Sequence, residues 1–249
     1  MVMSEQHTAP SWTDGPFLGF DTETTGVDPS QDRLPPPPPG PAGRRHGEGT
    51  RRQEVVTWLA DPGVPIPPGA SAVHGISTER AQAEGRPAPQ VLEEVAQRLA
   101  QAMGAGTPVV AFNASFDLTL MEHELARHGL ATLRERLGGP LAPVLDPLVL
   151  DRAVDRFRKG KRRLDAMCQV YGVQVDEALH TAEVDVAATL DVLEALAHAY
   201  PELAQMSLSQ LQSFQASSHR AWAQSFNDWL RRQGRPADVD PSWPLASES

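Results

Sequence analysis

The sequence predicts one α/β domain with flanking tails. Short apolar runs of strand length recur along the chain, segments with helical spacing of apolar residues lie between them, and proline and glycine are gathered into a few stretches. With 249 residues, 40% of them hydrophobic, the chain is long enough to bury a real core.

Phe17-Leu18-Gly19-Phe20 is an apolar run ending at Asp21, as expected of a buried strand, and Thr24-Thr25-Gly26 and Asp28-Pro29 supply turn chemistry after it. Leu34 to Gly49 is dominated by proline, glycine and arginine, with five consecutive prolines from Pro35 to Pro39. Prolines have no N–H to give a sheet ladder, so residues 34–50 are read as an irregular insert. Val55 to Leu59 reads as the next strand. Val91, Val95 and Leu99 share one helical face, and Pro108 to Phe112 is a second buried strand. A helix then starts near Ser115, capped by Ser115 or Asn113, with Leu118, Met121 and Leu125 facing inward. Val144-Leu145 is a short strand. Leu164, Met167, Cys168 and Tyr171 follow i, i+3, i+4, i+7 spacing, which makes Cys168 a core thiol. Val186, Leu190, Leu193 and Ala197 mark a long helix, and Leu208 to Leu230 another, with Trp222, Phe226, Trp229 and Leu230 along a stripe expected to pack on its own domain. The organisation is a disordered tail over 1–14, a globular domain over 15–203, a helical extension over 204–233 and a disordered tail over 234–249.

Cys168 is the only cysteine, which excludes a disulfide or a cysteine-ligated zinc site within one chain. No apolar run approaches the roughly 20 residues of a membrane span, and residues 1–14 lack the order of a signal peptide, so no membrane contact and a cytoplasmic location are expected. The formal charge of −10 argues against coating nucleic acid nonspecifically. Yet Arg156, Arg158, Lys159, Lys161, Arg162 and Arg163 fall together with no acid among them, as a solvated loop or a local phosphate contact.

The acids carry the chemistry. Asp21 and Glu23 stand two apart at a strand end and leave the same face. Asp117 falls in the first turn of a helix, and Asp185 does so after a Thr181 cap, with His180 just before it. Each alone would pass for a helix cap or a surface group. Brought together, two carboxylates about 4 Å apart repel by on the order of 4 kcal/mol at an effective dielectric near 20, and four require compensation. Two divalent ions cancel that charge; oxygen-only ligation suits Mg²⁺ or Mn²⁺, and such a pair serves phosphoryl hydrolysis.

Phe20-Asp21-Thr22-Glu23-Thr24-Thr25-Gly26 resembles the first motif of the DEDDh-type 3′→5′ exonuclease superfamily, which includes the epsilon subunit of bacterial DNA polymerase III, ribonuclease T and oligoribonuclease. Asn113-Ala114-Ser115-Phe116-Asp117 looks like its second motif and His180-Thr181-Ala182-Glu183-Val184-Asp185 its third. Val73-His74-Gly75-Ile76 and Arg163 to Cys168 resemble segments between them. The resemblance implies a ribonuclease-H-like mixed sheet flanked by helices, with the second strand disrupted by the proline-rich tract. It implies that Asp21, Glu23 and Asp185 bind the ion that activates water, that Asp21 bridges to a second ion supported by Asp117, and that His180 is the general base. Thr24, Thr25, His74, Ile76 and Asn113 would lie near the terminal nucleotide, and Lys161, Arg162 and Arg163, just before the third motif, would meet phosphates. The implied reaction releases nucleoside 5′-monophosphates from DNA 3′ ends, single-stranded ends being the expected partner. RNA on the same site, or a non-cutting module that binds nucleic acid or a partner protein, are the alternatives.

Overall fold

The structure, a computed structural model, describes residues 11–22, 60–61, 63–175 and 182–247. The insert at 34–50 and the strand expected at Val55 to Leu59 lie outside these residues. A 3-10 turn, Trp12–Asp14, opens the described chain, followed by β1 (Leu18–Gly19), β2 (Ala60–Asp61), α1 (Pro68–His74), α2 (Thr78–Glu84) and β3 (Arg86–Pro87). Then come α3 (Ala88–Gly104), β4 (Val109–Val110), α4 (Ala114–Arg127), α5 (Leu133–Leu137), β5 (Val144–Leu145) and α6 (Pro147–Val154). The chain continues through α7 (Leu164–Tyr171), α8 (Ala182–Ala199), α9 (Pro201–Gln205) and α10 (Leu208–Arg232).

β1, β4 and β5 form a parallel sheet in the order β1-β4-β5, with Leu18 opposite Val109 and Val109 opposite Val144. β2 and β3 make a separate parallel pair. Parallel neighbours need crossover connections, which the intervening helices supply, and those helices cover both faces of the sheet. This is why the strand segments read as unbroken apolar runs. Side chains alternate between faces. Val109, Ala111 and Val144 join Leu92, Leu99, Leu118, Met121 and Leu125 of α3 and α4 in one core. Val110 and Leu145 join Leu148, Met167, Val192, Leu193 and Leu196 of α6 to α8 in the other.

The free edge of β5 is closed by α10, whose side-chain amides take the place of a neighbouring strand. Gln212 accepts from the amide of Val144 at 2.9 Å and donates to the carbonyl of Leu141 at 3.1 Å. Gln215, fully buried, accepts from the amide of Asp146 at 2.7 Å and donates to the carbonyl of Val144 at 3.0 Å. The sheet edge is thereby paired rather than exposed.

Both ends of the described chain are more ordered than their composition suggested. Trp12 is buried and its indole N–H donates to the carbonyl of Leu203 at 3.0 Å. The disordered tail expected from 234 onward is corrected: residues 234–247 fold back along α10, and Trp243 and Leu245 enter the core beside α4. Asn227 on α10 holds this return by bonding both the carbonyl and the amide of Val239, at 2.8 and 3.0 Å.

Cys168 is buried in α7, and burial, followed by the charges of Asp191, Asp165 and Asp185, pushes its thiol up from the ordinary range. The native protein should therefore react with a thiol-specific disulfide reagent at pH 8 far more slowly than the protein in guanidinium. Equal rates would place this side chain at the surface.

Candidate active site

In a parallel sheet all carboxyl ends fall on one edge, and ligand sites form there. Asp21 follows β1, Asn113 follows β4 and leads into α4, and Asp146 directly follows β5. The acids at three points of the chain are therefore carried to one edge by the strand order.

Thr22 joins the first point to the second. Its amide donates to Oδ1 of Asp117 at 3.1 Å and its hydroxyl makes a short hydrogen bond to the same oxygen. Asp117, one turn into α4, is 4% exposed. Burial pushes its carboxyl up from 3.8 to about 7, opposed by the two Thr22 hydrogen bonds and assisted by the negative charge of Asp146.

Asp185 stands in the first turn of α8, which packs on β1. A methyl group on Gly19 would overlap Cγ1 of Val186, the residue after Asp185. The missing side chain lets α8 lie directly against the strand that ends at Asp21, a use of glycine for close approach rather than for backbone freedom.

Among the expected site residues, Asp21, Asp117 and Asp185 are thus placed on elements that meet at one edge, and Glu23, Thr24, Thr25 and His180 lie outside the described residues. His74 ends α1, where Gly75 takes a left-handed φ of 73°. Ile76 is fully buried with Ile66 and Ala81 in a small separate core, so its side chain is not open to a nucleotide. Asn113 does not cap α4 with its side chain; it adopts a left-handed φ of 65°, and the carboxylate of Asp146 receives the amides of Asn113 and Ala114 instead. In the basic stretch, Arg158 and Arg162 both bond the buried Asp151, at 2.7 and 2.6 Å, while Arg163 pairs with Asp165 at the surface. Lys159 and Lys161 remain exposed.

Among the described residues no three acid, histidine or cysteine side chains are close enough to hold a metal by themselves. The donor chemistry nevertheless fits a divalent cation. Asp117 is buried beside a second acid and needs a cation nearby to be fully ionised at neutral pH. An all-carboxylate set suits Mg²⁺ or Mn²⁺.

Thr22, Gly19 and Asp146 are the positions the sequence reading passed over. For Asp146 a signal exists: an acid followed by Pro147, just after an apolar pair, is the pattern of a helix N-cap with proline at the first helical position.

The architecture is that of a ribonuclease-H-like nuclease. The exonuclease family model of the RNase T type matches residues 18–193, and the chain belongs to that family, within the DEDDh-type exonuclease superfamily. It is similar to a DNA polymerase III subunit epsilon-like protein of Rhodobacter capsulatus, 35% identical over 178 residues that make up 70% of this chain and 23% of the relative. Among solved structures it resembles exonuclease I of Methylocaldum szegediense, with a TM-score of 0.57, 24% identity and coverage of 74% of this chain and 41% of that one. It also resembles E. coli exonuclease I in complex with a dA16 oligonucleotide, with a TM-score of 0.60, 20% identity and coverage of 82% and 43%. The chain thus spans under half the length of these proteins.

Two outcomes follow from the geometry. Gly19→Ala should destabilise the fold by roughly 1–3 kcal/mol in urea unfolding, and Val186→Ala added to it should restore part of the loss. Additive losses in the double variant would remove the contact between β1 and α8 as the cause. Asp117 has a raised folded pKa, so its favourable contribution is complete below 3.8 and is lost as pH rises towards about 7. In chelator, Asp117→Asn should therefore gain stability over the parent by on the order of a few kcal/mol between pH 4 and 8. Added Mn²⁺ should stabilise the parent more than the variant. A pH-independent difference would mean that Asp117 is not held in a desolvated site.

Proposed function

We propose that the chain is a 3′→5′ exonuclease that releases nucleoside 5′-monophosphates from single-stranded DNA, using two divalent ions, Mg²⁺ or Mn²⁺, held by Asp21, Glu23, Asp117 and Asp185. The observation that carries this reading is the pair of hydrogen bonds from Thr22 to Asp117, because they tie the first acidic motif to the second across two strands. When bound, the ions lower the pKa of a water and offset charge on the departing 3′ oxygen. His180 takes the proton of the attacking water near neutral pH. Thr22 keeps Oδ1 of Asp117 occupied. Lys159 and Lys161 offer exposed cations for phosphates in a chain whose net charge is −10. Single-stranded DNA is supported as substrate by the oligonucleotide-bound exonuclease I structures that share the fold.

The test is a 5′-labelled single-stranded DNA incubated with protein and Mg²⁺ or Mn²⁺. Stepwise shortening from the 3′ end with release of monophosphates is expected, and chelator should stop it. Asp185→Ala should abolish turnover with the fold retained, and His180→Ala should lower it roughly 10²–10⁴-fold. Faster degradation of a matched RNA would move the substrate to RNA. Failure to shorten either polymer would overturn the reading.

A further inference from the structure

Asp146 is 1% exposed, and its carboxylate joins the starts of two helices. Oδ1 accepts from the amides of Asn113 at 3.1 Å, Leu148 at 2.9 Å and Val149 at 3.4 Å, and Oδ2 accepts from the amide of Ala114 at 3.0 Å. The α6 half of this arrangement is an ordinary N-cap. The α4 half is not. Asn113 is the only non-glycine residue with a positive φ among those described, and no side chain of its own secures the turn. A residue in that conformation persists when its surroundings over-determine it. Here the surroundings are the two oxygens of Asp146. From Ala114 to Asp117 is less than one helical turn, so any rotation of this entry displaces the Asp117 carboxylate.

Two of the groups that hold Asp146 come from beyond residue 193, where the family match ends. Its amide donates to Gln215 of α10 at 2.7 Å, and the indole N–H of Trp243 points at Oδ2 from 3.5 Å. Arg152 offsets its charge, and the guanidinium of Arg152 lies 3.7 Å over the ring of Trp222, also on α10. The same C-terminal return reaches α4 directly, where the amide of Ala246 donates to Thr119 Oγ1 at 2.9 Å.

The geometry points to Asp146 as a positioning residue that sets the entry of α4, and with it Asp117, while Gln215 and Trp243 of the C-terminal extension hold Asp146 in place. The extension then belongs to the working site. This rests on Asp117 being a metal ligand.

Mn²⁺ binding to the full chain, followed by the electron paramagnetic resonance of the free ion, tests it together with kcat and KM on single-stranded DNA. Asp146→Asn conserves volume, but in the orientation that keeps the three Oδ1 bonds it presents an NH₂ group to Ala114 and Trp243. Weaker Mn²⁺ binding by about 10–100-fold is expected, the usual effect of removing a group that orients a metal ligand. kcat should fall with little change in KM. Gln215→Met should shift both quantities the same way by less, and it carries the test if Asp146→Asn does not fold. Lowered stability with Mn²⁺ affinity and kcat of the folded protein unchanged would overturn the proposal. Asp117→Asn that binds Mn²⁺ as tightly as the parent would overturn it too. A parent that binds Mn²⁺ with the expected loss in Asp146→Asn, yet cuts no nucleic acid, would sink the exonuclease reading and leave the positioning role standing.

Discussion

The structure depends on burying acids at the carboxyl edge of a parallel sheet, and the two most deeply buried there, Asp146 and Asp117, are compensated to different degrees. Burial pushes the Asp146 carboxyl up as well, opposed by backbone amides from two helix starts and by the charge of Arg152. Burial pulls Arg152 down to about 10, which still leaves it charged at neutral pH. Among the described residues Asp117 receives the amide and hydroxyl of Thr22, and the charge nearest in effect is the like charge of Asp146. Removing a carboxylate from water without a compensating cation is costly enough that the group tends to neutralise instead. The two acids share the cost of burial and differ in the number of internal groups that oppose it, four backbone amides and Arg152 at Asp146 against Thr22 at Asp117.

The distribution of cations follows the same logic. The basic stretch after α6 is not simply an exposed patch, because Arg158 and Arg162 turn inward to Asp151, which also accepts the hydroxyl of Tyr171 at 2.7 Å. Removing either arginine would strain a buried ion cluster rather than only subtract a surface charge. On the proposed reading, attraction of a polyanion to this acidic chain falls to exposed groups such as Lys159 and Lys161. Their effect is local, whereas the field of the whole molecule opposes approach.

What was legible in the sequence was whatever local pattern determines. Val109-Val110 and Val144-Leu145 are apolar on both sides because helices cover both faces, and α3, α4, α7, α8 and α10 carry the expected spacing. Asp21, Asp117 and Asp185 stood out through their flanking motifs. Partners distant in sequence were not legible. The cap of α4 comes from 33 residues downstream, so Asn113 looked like its own cap. The return over 234–247 is rich in proline and polar residues and reads as disordered, yet Trp243 and Leu245 join the core that α3, α4 and the strands build. The arginines of the basic loop gave no sign that a single acid would claim two of them.

The short strands make the C-terminal extension matter. Each described strand has two residues in the ladder, so the sheet has few backbone bonds with which to resist shear, and its β5 edge would be open without α10. Gln212 and Gln215 close that edge through amide side chains, which pair like backbone but are fixed to a rigid 25-residue helix. A strand in the same place would give the same bonds with more freedom to slip in register. Because Gln215 spans Val144 and Asp146, one side chain ties the β5 edge on α10 to the backbone of the residue whose carboxylate caps α4 and α6. Edge closure, the start of α4 and the placement of Asp117 are therefore mechanically continuous. A segment outside the exonuclease family match is the part that couples them.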